Sequence, residues 1–171
     1  MRQQKKNSLA TKIIESAKPL EPLVTAVVQP IDANALVGAI EAAEDKLIVP
    51  VFIGEKIKIK KIAKQIGIAI DKYQIIDADN DSDAVLKAIN FAHKQKIEAI
   101  MKGKIHTDGL LSPIIAKENG LIIEGRRVSH VFALDVPSYH KLLFLTDAAI
   151  NIEPSLSDKK SIIQPIQTRH P

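Results

Sequence analysis

From Val24 onward the chain repeats one pattern: a short run rich in Val and Ile, then a longer stretch whose apolar residues recur every three or four positions. Strands alternating with helices in this way predict an α/β fold, a mainly parallel sheet flanked by helices. Strands are expected at Val24–Val28, Ile48–Ile53 (despite Pro50), Gln74–Asp77, Ala99–Lys102, Ser129–Leu134 and Leu142–Thr146. Asp32 is placed to cap a helix from Asn34 to Glu44, in which Leu36, Val37, Ile40 and Ala43 share one face. Further helices are expected over Glu55–Ile66, closed by Gly67, over Ala84–Lys94, over Leu110–Glu118, closed by Asn119 and Gly120, and from about Ser157, with Pro165 as a stop. Three stretches result: a basic helical segment at 1–23, an α/β region at 24–164 and a divergent tail at 165–171.

Composition narrows the class. With 171 residues and 46% hydrophobic content the chain can bury a core. Aromatic residues make up only 4% and Trp is absent, so platforms for stacking bases are missing and no nucleic-acid partner is expected. The absence of cysteine excludes disulfides, thiolate metal sites and a cysteine nucleophile in these residues. No apolar run reaches the roughly 18 residues of a membrane span, so no membrane partner and a cytoplasmic location are expected. The net charge of +4 suits a solvated surface or a small anionic substrate. Lysines between Glu55 and Ile66 alternate with Ile59, Ile62 and Ile66, which marks them as a solvated helix face.

In open α/β sheets ligands bind beyond the carboxyl ends of the strands, which selects two places. The first is the turn Gly103-Lys104-Ile105-His106-Thr107-Asp108-Gly109, where glycine permits close approach and the following helix offers free N–H groups to an anion. It matches neither a Walker A loop nor a dinucleotide fingerprint, and Thr107 or Asp108 could equally cap the helix. The second is Thr146-Asp147-Ala148-Ala149-Ile150-Asn151, where Asp147 could orient or deprotonate a substrate group and Asn151 could hydrogen-bond it; turn formation is the alternative. Arg126 and Arg127 could clamp phosphate oxygens or lie on the surface, and His130, in an apolar run, reads as a packed histidine. The acidic stretch DADNDSD lacks the spacing of a calcium loop and reads as a turn and cap, so no metal is expected.

The segments TAVVQPIDANALVGAIEAAE, LIVPVFIG, MKGKIHTDGLL, RRVSHVFALDVP and KLLFLTDAAINIEP together resemble the phosphate acetyl/butyryl transferase family, in order from about Thr25 to Gln164. The likeness is greatest to the phosphate acetyltransferase part of bifunctional enoyl-CoA hydratase/phosphate acetyltransferases. It implies a fold like isocitrate and isopropylmalate dehydrogenases, a homodimer, and transfer of an acyl group between coenzyme A and phosphate. In the implied ternary complex the CoA thiolate attacks the acyl phosphate. Phosphate, acyl-CoA and acyl phosphate are the implied partners, with coenzyme A as a substrate and no tightly bound cofactor.

By the same resemblance His106 and Asp147 carry catalysis, while Gly103, Lys104, Thr107, Arg126, Arg127 and Asn151 bind substrate. Ser112 stands where the acetyltransferase branch has an arginine. The resemblance extends only over the family's N-terminal half, so a truncated, inactive homologue is a competing expectation. Other readings are a phosphate butyryltransferase, a non-catalytic remnant that binds or oligomerises, and, from fold analogy alone, a dehydrogenase.

Overall fold

The computed structural model describes residues 9–124 and 126–167. The first eight residues of the basic segment, Gly125, and residues 168–171 of the divergent tail lie outside the described residues. In chain order the elements are α1 (Leu9–Ala17), β1 (Leu23–Val28), α2 (Ala33–Glu44), β2 (Ile48–Gly54), α3 (Lys56–Ile66), β3 (Gln74–Asp77), α4 (Asp81–His93), β4 (Ala99–Lys102), α5 (Thr107–Ile114), β5 (Val131–Leu134), β6 (Leu143–Thr146) and α6 (Leu156–Gln167). They form two compact units, one of residues Ala17–Leu121 and one of the described residues on either side of that stretch.

The Ala17–Leu121 unit holds a four-stranded, all-parallel sheet in the order β3-β2-β1-β4. Successive side chains on a strand point to opposite faces, so the apolar run of β1 supplies both. Ala26 and Val28 pack with Val51, Ile53 and residues of α4 and α5, including Val85, Ile89 and Leu110. Val27 packs on the other side with Phe52 and residues of α2 and α3, including Leu36, Ile40 and Ile59. Pro50 is tolerated in the interior strand β2 because it pairs with Thr25 of β1 before the ladder to β3 begins at Val51.

Local chemistry sets the helix ends. Asp32 accepts the Ala35 N–H at 3.0 Å and starts α2. Gly67, at φ 71°, ends α3 in the left-handed conformation that glycine adopts without strain. Asn80 caps α4 by accepting from Asp83 N–H, so the helix begins inside the acidic stretch, three residues before the expected Ala84. Asp81 and Asp83 in that first turn suit the positive end of the helix dipole.

The helix expected over Leu110–Glu118 is displaced: α5 starts at Thr107 and stops at Ile114, one residue past Pro113. Asn119, at φ 60°, and Gly120 therefore do not cap it. They return the chain over its end, where Leu121 N–H donates to the Ile114 carbonyl at 2.7 Å and a Cβ on Gly120 would lie 2.2 Å from the Ala116 oxygen.

In the other unit β5 and β6 pair antiparallel, Val131 opposite Thr146 and Leu134 opposite Leu143. β5 begins two residues after the expected Ser129, because the His130 N–H is drawn to the Asp147 carboxylate. Helix α6 continues past Pro165 to Gln167, contrary to the expected stop. A proline removes one intrahelical donor and kinks a helix without always ending it. Among the described residues no helix is long and apolar enough to cross a membrane.

Candidate functional site

The carboxyl ends of β1 and β4 meet at a residue that sequence reasoning passes over. Gln29 is fully buried, and its backbone lies in the left-handed region at φ 52°. Its N–H donates to Ile53 O at 2.8 Å, and its carbonyl accepts from both Ile31 N–H and Lys104 N–H at 2.8 Å. The side chain donates through Nε2 to Asp81 Oδ1 at 2.8 Å and accepts the Glu55 N–H at 3.2 Å. The only trace of this in the sequence is a polar residue between an apolar strand and Pro30.

The first predicted turn is built against that residue. Gly103 N–H donates to Val28 O at 2.8 Å, and a Cβ on Gly103 would lie 2.3 Å from Gln29 O. Glycine at 103 is thus required by the neighbouring backbone itself. Lys102 Nζ secures the turn by donating to Ile105 O at 2.8 Å. His106 occupies the N-cap position of α5 and makes no side-chain capping bond. Neither Thr107 nor Asp108 is the cap, since both lie within the first helical turn. The start of α5 thus lacks a side-chain cap from His106, and the exposed Lys104, His106 and Thr107 lie at the positive end of the helix dipole. Such an end can receive an anion; the exposed Asp108 is the one carboxylate in that turn that opposes it.

The second predicted place lies in the other unit. Asp147 is half-buried after β6. Its Oδ1 accepts from His130 N–H at 3.2 Å, Ala149 N–H at 3.1 Å and Ile150 N–H at 3.2 Å; Oδ2 accepts from Asn151 N–H at 3.0 Å and from the Asn151 side-chain amide. Partial burial pushes this carboxyl upward. The Ala149 N–H, the Asn151 amide, and the Ile150 and His130 N–H groups outweigh it and hold the pKa well below the usual carboxylate range. Asn151 also donates to Val128 O at 2.9 Å. A carboxylate so engaged anchors a loop and is a poor proton acceptor at neutral pH.

Arg127 faces the same loop. Its Nε contacts Asp158 Oδ1 at 2.6 Å, and its NH1 donates to Asn151 Oδ1 at 3.5 Å. Arg126 is exposed, and among the described residues its guanidinium has no partner. The two arginines therefore do not form a ready-made clamp: one is committed to Asp158, 31 positions further on, and the other is unpaired among the described residues. The His130 ring lies 4.0 Å, centroid to centroid, from that of Phe132. Gly103, Lys104, His106 and Thr107 come together in one unit, and Arg127, Asp147 and Asn151 in the other. Among the described residues no group of three or more His, Asp or Glu side chains is arranged to hold a metal ion.

No protein-family model matches the chain. It is 47% identical over 148 residues to the phosphate acetyltransferase of Rickettsia typhi, covering 86% of this chain and 42% of that protein. Over 153 residues it is 40% identical to the phosphate acetyltransferase of Rhizobium meliloti, covering 90% and 48%. With the phosphate butyryltransferase of Clostridium beijerinckii it shares 34% over 145 residues, covering 85% and 47%. The chain thus spans less than half the length of these relatives. Among solved structures, a branched-chain phosphotransacylase from Enterococcus faecalis superposes with a TM-score of 0.60 at 18% identity, covering 83% of this chain and 49% of that one. A phosphotransacetylase from Staphylococcus aureus gives 0.62 at 16% identity, covering 88% and 53%.

Proposed function

Since the chain is a homologue of the phosphate acetyl/butyryl transferases, we propose that it carries part of a phosphate acyltransferase site, one that interconverts acetyl-CoA plus phosphate with acetyl phosphate plus CoA. The observation that carries this reading is identity of 40 to 47% to phosphate acetyltransferases over nearly the whole chain, a stretch long enough to include both turns described above. Acetyl is favoured over butyryl because the two phosphate acetyltransferases named above stand at 47 and 40% and the butyryltransferase named with them at 34%. The wider proposal includes an isocitrate/isopropylmalate dehydrogenase-like fold, a homodimer and a cytoplasmic setting.

On this reading the uncapped start of α5, with Gly103, Lys104, His106 and Thr107, receives the phosphate group. Attack of the CoA thiolate on the acyl phosphate forms the C–S bond and breaks the C–O bond, so negative charge grows on the departing phosphate. Fixed N–H donors and a lysine stabilise that charge without reorganising. Asp147 contributes by anchoring the loop that holds Asn151 and, through Asn151, Arg127. Arg126, exposed in the other unit, offers a further cation to an anionic substrate.

The reading is tested by incubating the purified chain with acetyl phosphate and CoA and following thioester formation and thiol loss, alongside calorimetric titration with phosphate and with CoA. Saturable phosphate binding that weakens in Lys104→Ala is expected. Neither turnover nor binding of either ligand would overturn it. The exposed apolar faces of β5 and β6 favour a second reading, a non-catalytic docking subunit, which would show association without ligand binding.

A further inference from the structure

We propose that Gln29 is a positioning residue for the turn from Lys104 to Thr107, its side-chain amide holding its own carbonyl where the turn begins. The proposal rests on reading that turn as the phosphate site. Outside glycine, a left-handed backbone costs on the order of 1 kcal/mol or more and persists where the surroundings enforce it. Here the surroundings are visible. The amide is held on one side by Asp81, at the start of α4, and on the other by the Glu55 N–H, just before α3. A Cβ on Gly54 would lie 2.4 Å from Gln29 Oε1, and one on Gly103 would lie 2.3 Å from Gln29 O. The ends of β2 and β4 are therefore both fitted around this one residue.

The consequence runs through the main chain. Gln29 O accepts from Ile31 N–H and Lys104 N–H, so both carbonyl lone pairs are committed. If the amide loses Asp81 or Glu55, one restraint on the left-handed Gln29 backbone is gone; as that backbone relaxes, its carbonyl shifts relative to Lys104, and the turn that presents His106 and Thr107 shifts with it. A displacement of about 1 Å at a binding group can cost as much as about a hundredfold. Gln29 is buried beneath the turn and touches no substrate itself, so its influence is on placement alone.

The test is a substitution cycle in the full chain: Gln29→Glu, Asp81→Asn and the two together. Gln29→Glu sets a carboxylate against Asp81. The double variant restores a donor opposite an acceptor with polarity reversed and net charge unchanged. Backbone amide resonances of Lys104, Thr107 and Asp108 are recorded, and inorganic phosphate is titrated against them. Gln29→Glu is expected to shift these resonances and weaken phosphate binding about tenfold, and the double variant to restore both. A Gln29→Glu variant with a lowered Tm but wild-type resonances and phosphate affinity would overturn the proposal, as would failure of the double variant to rescue. If the unaltered chain takes up no phosphate, the functional reading fails, while the amide shifts and their rescue still decide the role of Gln29. Should Gln29→Glu not fold, Asp81→Ala at that exposed position replaces it, and unchanged Lys104 and Thr107 amides would overturn the proposal.

Discussion

Arg127 and Asp158 are joined by a contact of 2.6 Å between Nε and Oδ1, and the same carboxylate closes the start of α6. Asp158 Oδ2 accepts from the Ser155 N–H at 3.0 Å and from the Ser155 hydroxyl at 2.8 Å, while Ser155 Oγ accepts the Asp158 N–H at 3.3 Å. This reciprocal arrangement is a capping box with aspartate in the glutamate position. Ser155→Ala should destabilise its unit by about 1 kcal/mol. Urea unfolding followed by circular dichroism checks this, and no change in midpoint would count against the cap.

The hydrogen bonds that depress Asp147 fix the sign of its pH dependence. A carboxylate whose folded pKa lies below its unfolded one adds stability that is complete above the unfolded value and fades as pH falls through the folded one. The Ala149, Ile150 and Asn151 amides should therefore keep their chemical shifts from pH 8 to pH 5 and move only in strong acid. In Asp147→Ala they should be displaced at every pH. A shift centred near pH 6 in the unaltered chain would contradict this account.

Two glycines six positions apart, Gly103 and Gly109, should respond oppositely to alanine. At Gly103 the new Cβ would fall 2.3 Å from Gln29 O and 2.6 Å from Val28 O, both backbone atoms with little room to move. At Gly109, inside α5, the nearest atom is Ile105 Cγ1 at 3.8 Å. Gly103→Ala should cost about 1–3 kcal/mol through overpacking. Gly109→Ala should stabilise by about 0.5–1 kcal/mol through helix propensity. Thermal melts of the two variants give the comparison, and equal shifts would refute it.

The β5–β6 ribbon exposes Phe132 at 41%, Phe144 at 54% and Leu145 at 50% of their surface. Apolar strands with two open edges invite pairing with other chains. Light scattering should show association that rises with concentration and falls in a Phe144→Lys, Leu145→Lys variant. Equal scattering from both would show that the ribbon is not the contact.

Much of the fold was legible in the sequence because its signals are local. β3 and β4 match their expected ranges, since each is a short apolar run between polar residues, and Asp32 and Gly67 announce helix ends by their own chemistry. α4 and α5 begin three residues before their apolar periodicity does, because a cap and a first turn are polar. Pro165 misled because one missing donor does not halt a helix. At the candidate site, the turn at Gly103 was visible from its glycines, but the reason for Gly103 was not, because it lies in Gln29, far away in sequence. Arg127 looked like an anion ligand for the same reason: Asp158 is remote in sequence and adjacent in space.

The parallel sheet has a consequence for the order in which the chain can fold. Val24 N–H donates to Glu98, 74 residues later, and β4 pairs beside β1 over Thr25–Val28. Until β4 arrives, β1 has an unpaired edge and Gln29 O has no Lys104 to receive. On a ribosome adding about 5–20 residues per second, that edge stays open for several seconds at least. Distant pairing of this kind is also slow in the free chain. The residues that complete the turn from Gly103 to Thr107 are thus among the last of their unit to find their places.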